Sequence, residues 1–427
     1  MRESVIRLMT RLAVQHGAVN LSQGFTDEAP HFELVWGGVA AALGGDDPRI
    51  QHLDALTLEE ARTELGLTPA EFGRLPLREL LARLRNPRDR FNQYSFPFGL
   101  PELRQAIAEY TWRFYGVRPD PETQITVVLG ATEGLSSVLR AVCSPGEALV
   151  IFQPFHEMYP SQSELFGLEP RYVTLREDRA TGTWHMDRDE VRAACGPGAR
   201  GLVLNTPHNP TGKVFGRDDL EFIASLCRER ELFAFTDEIY EHIVYDGHRH
   251  HYLAGFEGMA ERTFVINSIS KTGSATGWRV GWVISPEQYT PRIRAVHDTL
   301  VIQAPTPLQK GAARLLLQDE AVFRELSRPY ERKRQTLVDA LRKVGFAVSP
   351  PEGSYYLFAD YRQVPGIGAM PPMEAAMHLI EKVGVASVPG DNFYRVGTAG
   401  NDYLRFAFCR SLESLEEAGR RLAQRLG

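Results

Sequence analysis

Between Ile125 and Ile284, short apolar runs of β-type residues alternate with helical patterns, and that rhythm admits few architectures. The strand-like runs are 125–129, 148–152, 170–175, 201–205, 232–236, 263–266 and 280–284. Helical patterns separate most of them. One of these, 217–230, ends in basic residues, as the negative end of a helix dipole prefers. Such alternation predicts an α/β fold with a mostly parallel central sheet covered by helices on both faces. Ligands in such folds sit outside the carboxyl ends of the strands.

The 427 residues, 43% hydrophobic and 24% charged, suffice for a large core or for two domains sharing an interface. A net charge of −6 argues against nucleic acid or an anionic membrane as the main partner. Cys143, Cys195, Cys227 and Cys409 are scattered, without a C-x-x-C pair or a His cluster at metal spacing. Reduced thiols in a cytoplasmic protein are the simplest account, and no metal is expected. Met1 to Arg7 lacks the apolar run of a signal peptide, and no uncharged apolar segment is long enough to span a bilayer.

The chain divides into an expected N-terminal segment (1–45), a helical insertion (46–90), a large domain (91–305) and a smaller α+β domain (306–427) that the N-terminal segment joins. Helices are expected at 5–16, 35–43 and 77–84. Two capping boxes, Thr57 with Glu60 and Thr68 with Glu71, make the insertion helical rather than a floppy loop. Beyond Pro305 a long helical region is expected to 344, then strands at 346–349, 355–359, 385–388 and 403–409, with a helix at 372–383. A last helix is expected from Ser414, with Glu417 completing a capping box.

The strand ends carry the chemistry. Lys271 follows the run 263–266 within Ser268-Ile269-Ser270-Lys271, and Arg279 lies eight residues later among glycines and tryptophans. A desolvated lysine forms Schiff bases with aldehydes, and hydroxyls with an arginine suit a phosphate on the same molecule. Alone, the segment reads equally well as a strand end with a solvated lysine. Gly130-Ala131-Thr132 opens a helix with free N–H groups and a hydroxyl, again suited to phosphate, although Gly-rich βα turns are common. The rigid turn Thr206-Pro207-His208-Asn209-Pro210 projects Asn209. Asp237 ends a wholly apolar strand. It is either a helix N-cap or the partner of a buried cation such as a protonated pyridine nitrogen. Several strand ends thus offer complementary groups for one cofactor.

Asn205-Thr-Pro-His-Asn-Pro-Thr-Gly212, Asp237-Glu-Ile-Tyr240, Ser268-x-Ser-Lys271 and Gly277-Trp-Arg-Val-Gly281 together resemble the signature of the class I pyridoxal-phosphate aminotransferases of fold type I. The nearest branch holds the glutamine/kynurenine and methionine aminotransferases, whose members include cysteine-conjugate β-lyases. The likeness covers 20–25 and 91 to the end. It implies pyridoxal 5'-phosphate as cofactor, with Lys271 as Schiff-base anchor and proton shuttle and Asp237 on the pyridine nitrogen. It also implies Asn209 and Tyr240 on the phenolic oxygen, and Ala131, Thr132, Ser268, Ser270 and Arg279 on the phosphate. Tyr94 of Asn92-Gln93-Tyr94 is expected to reach the phosphate across a homodimer interface. Arg405, with the Gly24 backbone and Asn209, is expected to hold the substrate α-carboxylate.

Three departures bear on substrate. His156 stands where the family places a tyrosine or phenylalanine over the cofactor ring, and could stack or also move protons. Thr132, Ile302 and Gln303 replace residues of the usual aromatic-substrate pocket. The 46–90 insertion is either a surface embellishment or a lid. The leading expectation is ping-pong transfer of an amino group from an L-amino acid to a 2-oxo acid, with β/γ-elimination or replacement as the alternative. A cofactor-sensing transcription regulator on this fold would carry a basic winged-helix domain first, and this short, non-basic N-terminal segment argues against one.

Overall fold

The computed structural model describes residues 3–44, 53, 56–85 and 91–426. β1 (Val19–Asn20) precedes a central run of β2 (Ile125–Val128), β3 (Ala148–Gln153), β4 (Glu169–Asp178), β5 (Thr183–Met186), β6 (Ala199–Asn205), β7 (Phe233–Asp237), β8 (Thr263–Ser268) and β9 (Gly281–Ile284). β2 to β9 form one eight-stranded sheet in the order β2-β9-β8-β7-β6-β3-β4-β5. Only β9 and β5 run against the rest. Side chains alternate across the strands as the pleat requires. Val150 and Phe152 join Leu220, Ile223 and Leu226 of the helix Arg217–Glu229 on one face. Leu149 and Ile151 join Leu135, Val138 and Leu139 of Gly130–Val142 on the other. β5 escaped the sequence reading because four residues behind the Gly182 turn (φ +72°) carry too short a pattern.

A second region adds β10 (Tyr356–Asp360), β11 (Val385–Ala386), β12 (Val388–Pro389) and β13 (Tyr403–Ala407). β10, β13 and β12 make a three-stranded sheet. β11 pairs with β1 in parallel, Val19 against Val385, so the N-terminal segment is stitched to a strand near the other end of the chain. Several sequence boundaries change here. The stretch 346–349 contributes a single bridge, Ala347 to Asp360, and not a strand. The expected strand 385–388 breaks at buried Ser387 into two strands serving different sheets. The long helix beyond Pro305 is three: Thr306–Leu316, Glu320–Arg324 and Arg328–Lys343. The last helix starts at Leu412, where Ser411 Oγ accepts from Ser414 N–H (3.2 Å); Glu417 pairs with Arg421 and forms no capping box.

Both capping boxes in the insertion form, on the helices Leu58–Glu64 and Pro69–Phe72. The parts of that segment at 46–52, 54–55 and 86–90 lie outside the described residues. Leu77–Leu84 packs on Phe32–Gly44, which itself crosses Thr306–Leu316 at Gly37, Gly38 and Gly311. A Cβ on Gly311 would lie 2.2 Å from the Leu34 carbonyl oxygen, so the two backbones touch only because no side chain intervenes. Gly311→Leu should therefore lower the unfolding free energy in urea by about 2–3 kcal/mol through overpacking. Gly216→Ala, which faces open space, should change it by no more than about 0.5 kcal/mol. Equal effects of the two would refute the close helix crossing.

Candidate active site

Because β2, β3, β6, β7 and β8 run in one direction, their carboxyl ends meet along one edge of the sheet. That edge receives Ala131 and Thr132 after β2, His156 after β3, Asn209 after β6, Asp237 at the end of β7, and Ser268, Ser270 and Lys271 after β8. β9 runs the other way, so its start lies at the same edge and delivers Arg279. All of these, with Gly24, Tyr240 and Arg405, line one cavity of about 250 Å³. Every residue proposed from sequence is there except Tyr94, whose side chain is 79% exposed away from it.

Lys271 Nζ donates to the Gly24 carbonyl (2.8 Å), which also accepts from Tyr355 OH (2.8 Å). The ammonium lies 5.4 Å and 5.7 Å from the ring centres of Tyr355 and Tyr240. Burial among these groups pushes the amine down to about 8, with Arg279 and Arg405 adding to the effect. Gly24 has no substitute, since a Cβ there would fall 1.8 Å from Tyr356 Oη. Tyr240 and Tyr356 hydroxyls share a hydrogen bond (3.1 Å).

Asp237 is buried, and burial pushes its carboxyl up to about 6. One oxygen accepts from Tyr159 OH (2.7 Å), while Oδ1 has no hydrogen-bond partner among the described residues. Asn205 holds the turn behind it, donating to the Asp237 carbonyl (2.9 Å) and accepting from Asn209 N–H (2.8 Å). On the far side of the loop, His250 bonds Glu238 (2.8 Å) and Asn267 donates to Glu241 (2.6 Å), so buried polar contacts flank Asp237 and Tyr240.

Arg405 is 1% exposed yet meets no carboxylate among the described residues. Its guanidinium donates to Asn209 Oδ1 (3.0 Å) and the Ser22 carbonyl (2.6 Å), and lies against Tyr356 and Phe393 at 4.4 and 4.9 Å. A buried cation so framed suits an anion from outside the chain.

At the other end Arg279 adopts φ +57° and packs over Gly130, where a Cβ would sit 2.4 Å from Nη2. The first turn of Gly130–Val142 has backbone N–H groups without helical acceptors. Ser268 Oγ also caps Ser270 N–H at 3.3 Å, so this hydroxyl has a structural role as well. His156 Nδ1 accepts from Met158 N–H (3.3 Å), and burial pushes the ring down to about 4, so at neutral pH it is an uncharged flat surface. Gln303 does not enter the cavity. Its Oε1 accepts from Ser95 N–H (2.7 Å), beside Tyr94. Ile302 is the centre of a tight turn at φ +67°, ψ −62°, closed by Gln303 N–H to the Val301 carbonyl (2.8 Å). None of the described residues between 56 and 85 lines the cavity.

Sequence reasoning missed Tyr159, Asn205 and Tyr356. The first two carried a signal: Tyr159 follows His156 by three residues, and Asn205 opens the Asn209 motif. Tyr356 carried none, because only the fold brings it to Gly24.

The residues present fit pyridoxal phosphate. The unpartnered, buried Asp237 Oδ1 matches a protonated ring nitrogen, the Arg279 and helix-start end matches a phosphate, and the Lys271 amine lies in the same cavity. In cofactor-free protein, competitive acetylation of Lys271 should titrate near pH 8, against about 10.4 for ordinary lysines. The amine is charged below that midpoint and reactive above it. A midpoint equal to that of surface lysines would contradict the burial described here.

The family model for aminotransferase class I and II matches residues 72–422. Human kynurenine–oxoglutarate transaminase 1 is 33% identical over 355 residues, covering 78% of this chain and 84% of that protein. The solved structure of N-succinyldiaminopimelate aminotransferase from Mycobacterium tuberculosis superposes with a TM-score of 0.84 at 33% identity, covering 99% and 97% of the two chains. An Escherichia coli protein identified as having a methionine aminotransferase function superposes at 0.82 and 28% identity, covering 99% and 97%. With this cavity and these relatives, the chain belongs to the class I and II aminotransferases and is a pyridoxal-phosphate-dependent aminotransferase of fold type I.

Proposed function

We propose that Lys271 is the covalent anchor of the cofactor and the base that carries the Cα proton during transfer of an amino group from an L-amino acid to a 2-oxo acid. The observation that carries the assignment is the meeting of the Lys271 amine, the Asp237 carboxylate with its unpartnered Oδ1, and the Arg405 guanidinium in one cavity. Pyridoxal phosphate, when bound, supplies the electron sink that acidifies the Cα–H. Asp237 holds the positive charge on the ring nitrogen, and Tyr159 fixes its orientation by donating to the other oxygen. Asn209 and Tyr240 serve the phenolic oxygen. Ala131, Thr132, Ser268, Ser270 and Arg279 hold the phosphate, and the neutral ring of His156 stacks. Arg405 takes the substrate α-carboxylate with Gly24, and Asn209 and Ser22 pre-orient its fork. With its amine at about 8, roughly one Lys271 in ten is free base at pH 7, far more than an ordinary lysine offers.

Transfer is favoured over elimination because His156, the residue that motivated the alternative, is uncharged and a poor proton donor to a leaving group. We further assign a homodimer in which Tyr94 reaches the partner subunit's phosphate site. Its 79% exposure supports this, as does the turn at Ile302, a β-branched residue in left-handed backbone beside the Gln303–Ser95 contact. The partition into 1–45 with 306–427, and 91–305, is the matching domain proposal. Among the described residues no helix is long and apolar enough to cross a membrane. The four cysteines are buried and unpaired, which supports a reducing compartment and hence the cytoplasm.

Donor nitrogen labelled with 15N should appear in the amino acid formed from a 2-oxo acid, with no ammonia when acceptor is withheld. Ammonia release without acceptor would favour elimination instead. Lys271→Ala should lose turnover by at least about 10⁴-fold. Mixing Lys271→Ala with Tyr94→Ala subunits at limiting cofactor should recover about a quarter of wild-type activity, because half the dimers then carry one intact site. No recovery, with subunit exchange verified, would place Tyr94 outside the neighbouring site.

A further inference from the structure

Two residues that line the cofactor cavity are tied to each other from behind. Tyr240 and Ser268 line it, whereas their chain neighbours Glu241 and Asn267 are buried outside it. These two neighbours are bonded together, Asn267 Nδ2 donating to Glu241 Oε1 (2.6 Å). We propose that Glu241 is a positioning residue for pyridoxal phosphate, holding the turn that serves the phenolic oxygen in register with the strand end that serves the phosphate. The inference rests on the cofactor reading of the cavity.

The pleat explains the pairing. Successive side chains of a strand point to opposite faces, so with Ser268 toward the cavity Asn267 points away from it. Asn267 Oδ1 in turn accepts from Ser268 N–H (2.7 Å), and Ser268 Oγ accepts from Ser270 N–H (3.3 Å). A chain of short contacts thus runs from Glu241 to the helical turn Ile269–Thr272, which carries Lys271. The backbone adds a second fastening. Glu238 N–H donates to the Ile266 carbonyl (3.0 Å), and Glu241 N–H donates to the Glu238 carbonyl (3.0 Å).

Glu241 also reaches a third element. Its Oε1 accepts from Tyr110 OH (2.6 Å) and its Oε2 from Tyr115 OH, both on the helix Pro101–Tyr115. Tyr110 is itself buried against Trp282 of β9, with ring centres 6.3 Å apart. Burying a carboxylate is costly unless its oxygens are matched by donors, and here neutral donors from two elements match both. An apolar side chain in its place would leave two tyrosine hydroxyls and an amide without their acceptor. The network meets the cavity through Tyr240 and Ser268, so Glu241 acts through them and touches no reacting atom.

The test is the dissociation constant of pyridoxal phosphate, titrated into the cofactor-free full chain, with the visible circular dichroism of the bound cofactor as a second readout. Glu241→Ala should weaken binding about tenfold and diminish the dichroic band. Glu241→Gln should stay within about threefold of wild type, because its oxygen still accepts from Tyr110 and Asn267 while its amide donates to the Tyr115 oxygen. Asn267→Ala should also weaken binding, and the double variant should be little worse than either single one, as a shared contact requires. Val191→Ala, a core truncation outside the cavity, should lower the melting temperature and leave the dissociation constant unchanged. Should Glu241→Ala fail to fold, Tyr115→Phe removes one donor only and is expected to shift binding in the same direction. Wild-type affinity in Glu241→Ala or Tyr115→Phe, additive losses in the double variant, or Glu241→Gln as weak as Glu241→Ala overturns the proposal. Failure of the wild-type chain to take up pyridoxal phosphate would defeat the cofactor reading instead.

Discussion

Lys271, Asp237 and Arg405 come from distant parts of the chain and share one cavity with no ion pair among them. Each is kept by weaker, neutral partners: the Gly24 carbonyl for the amine, Tyr159 for the carboxylate, Asn209 and the Ser22 carbonyl for the guanidinium. Had the three groups paired, their charges would have been spent on one another. Held apart, burial moves the amine down and the carboxyl up, and each stays ready for a ligand of opposite charge. The rest of the structure can be understood as what such an arrangement requires.

Two devices maintain the separation. The sheet brings five parallel strand ends to one edge, and the reversal of β9 returns Arg279 to the same edge. The N-terminal segment then crosses over the site. It is pinned by the β1–β11 pair, with Val19 against Val385, and by the Gly24 carbonyl, which takes hydrogen bonds from Lys271 and Tyr355. Gly24 fits only because it lacks a Cβ, so the strap lies against the tyrosine cluster at backbone distance. That closeness also carries Ser4 and Ile6 to the cavity wall.

Much of this was legible in the linear text, for a physical reason. In a parallel sheet each catalytic group lies within a few residues of a strand end, so Asn209, Asp237 and Lys271 are local to patterns that a sequence shows. The capping boxes at Thr57 and Thr68 were legible likewise, since their donors and acceptors lie three residues apart. Elements defined by distant partners were not. The stretch 346–349 looked like a strand but found only one bridge, and 385–388 divided at Ser387 because two sheets compete for its neighbours. Tyr356 gave no signal, because nothing near it in the chain marks the cavity it reaches.

The amino-acid sequence by itself determined the class of fold and the chemistry of the cofactor site. Continuous apolar runs, turn residues and a lysine after a strand are facts local to the chain. The tertiary structure decided how those groups are tuned: that His156 is buried, neutral and hydrogen-bonded through Nδ1, and that Gln303 braces Ser95 instead of lining the pocket. It also decided that Arg405 lies buried without a carboxylate partner among the described residues. Burial and charge balance are sums over neighbours far apart in the chain, and only the folded molecule assembles them.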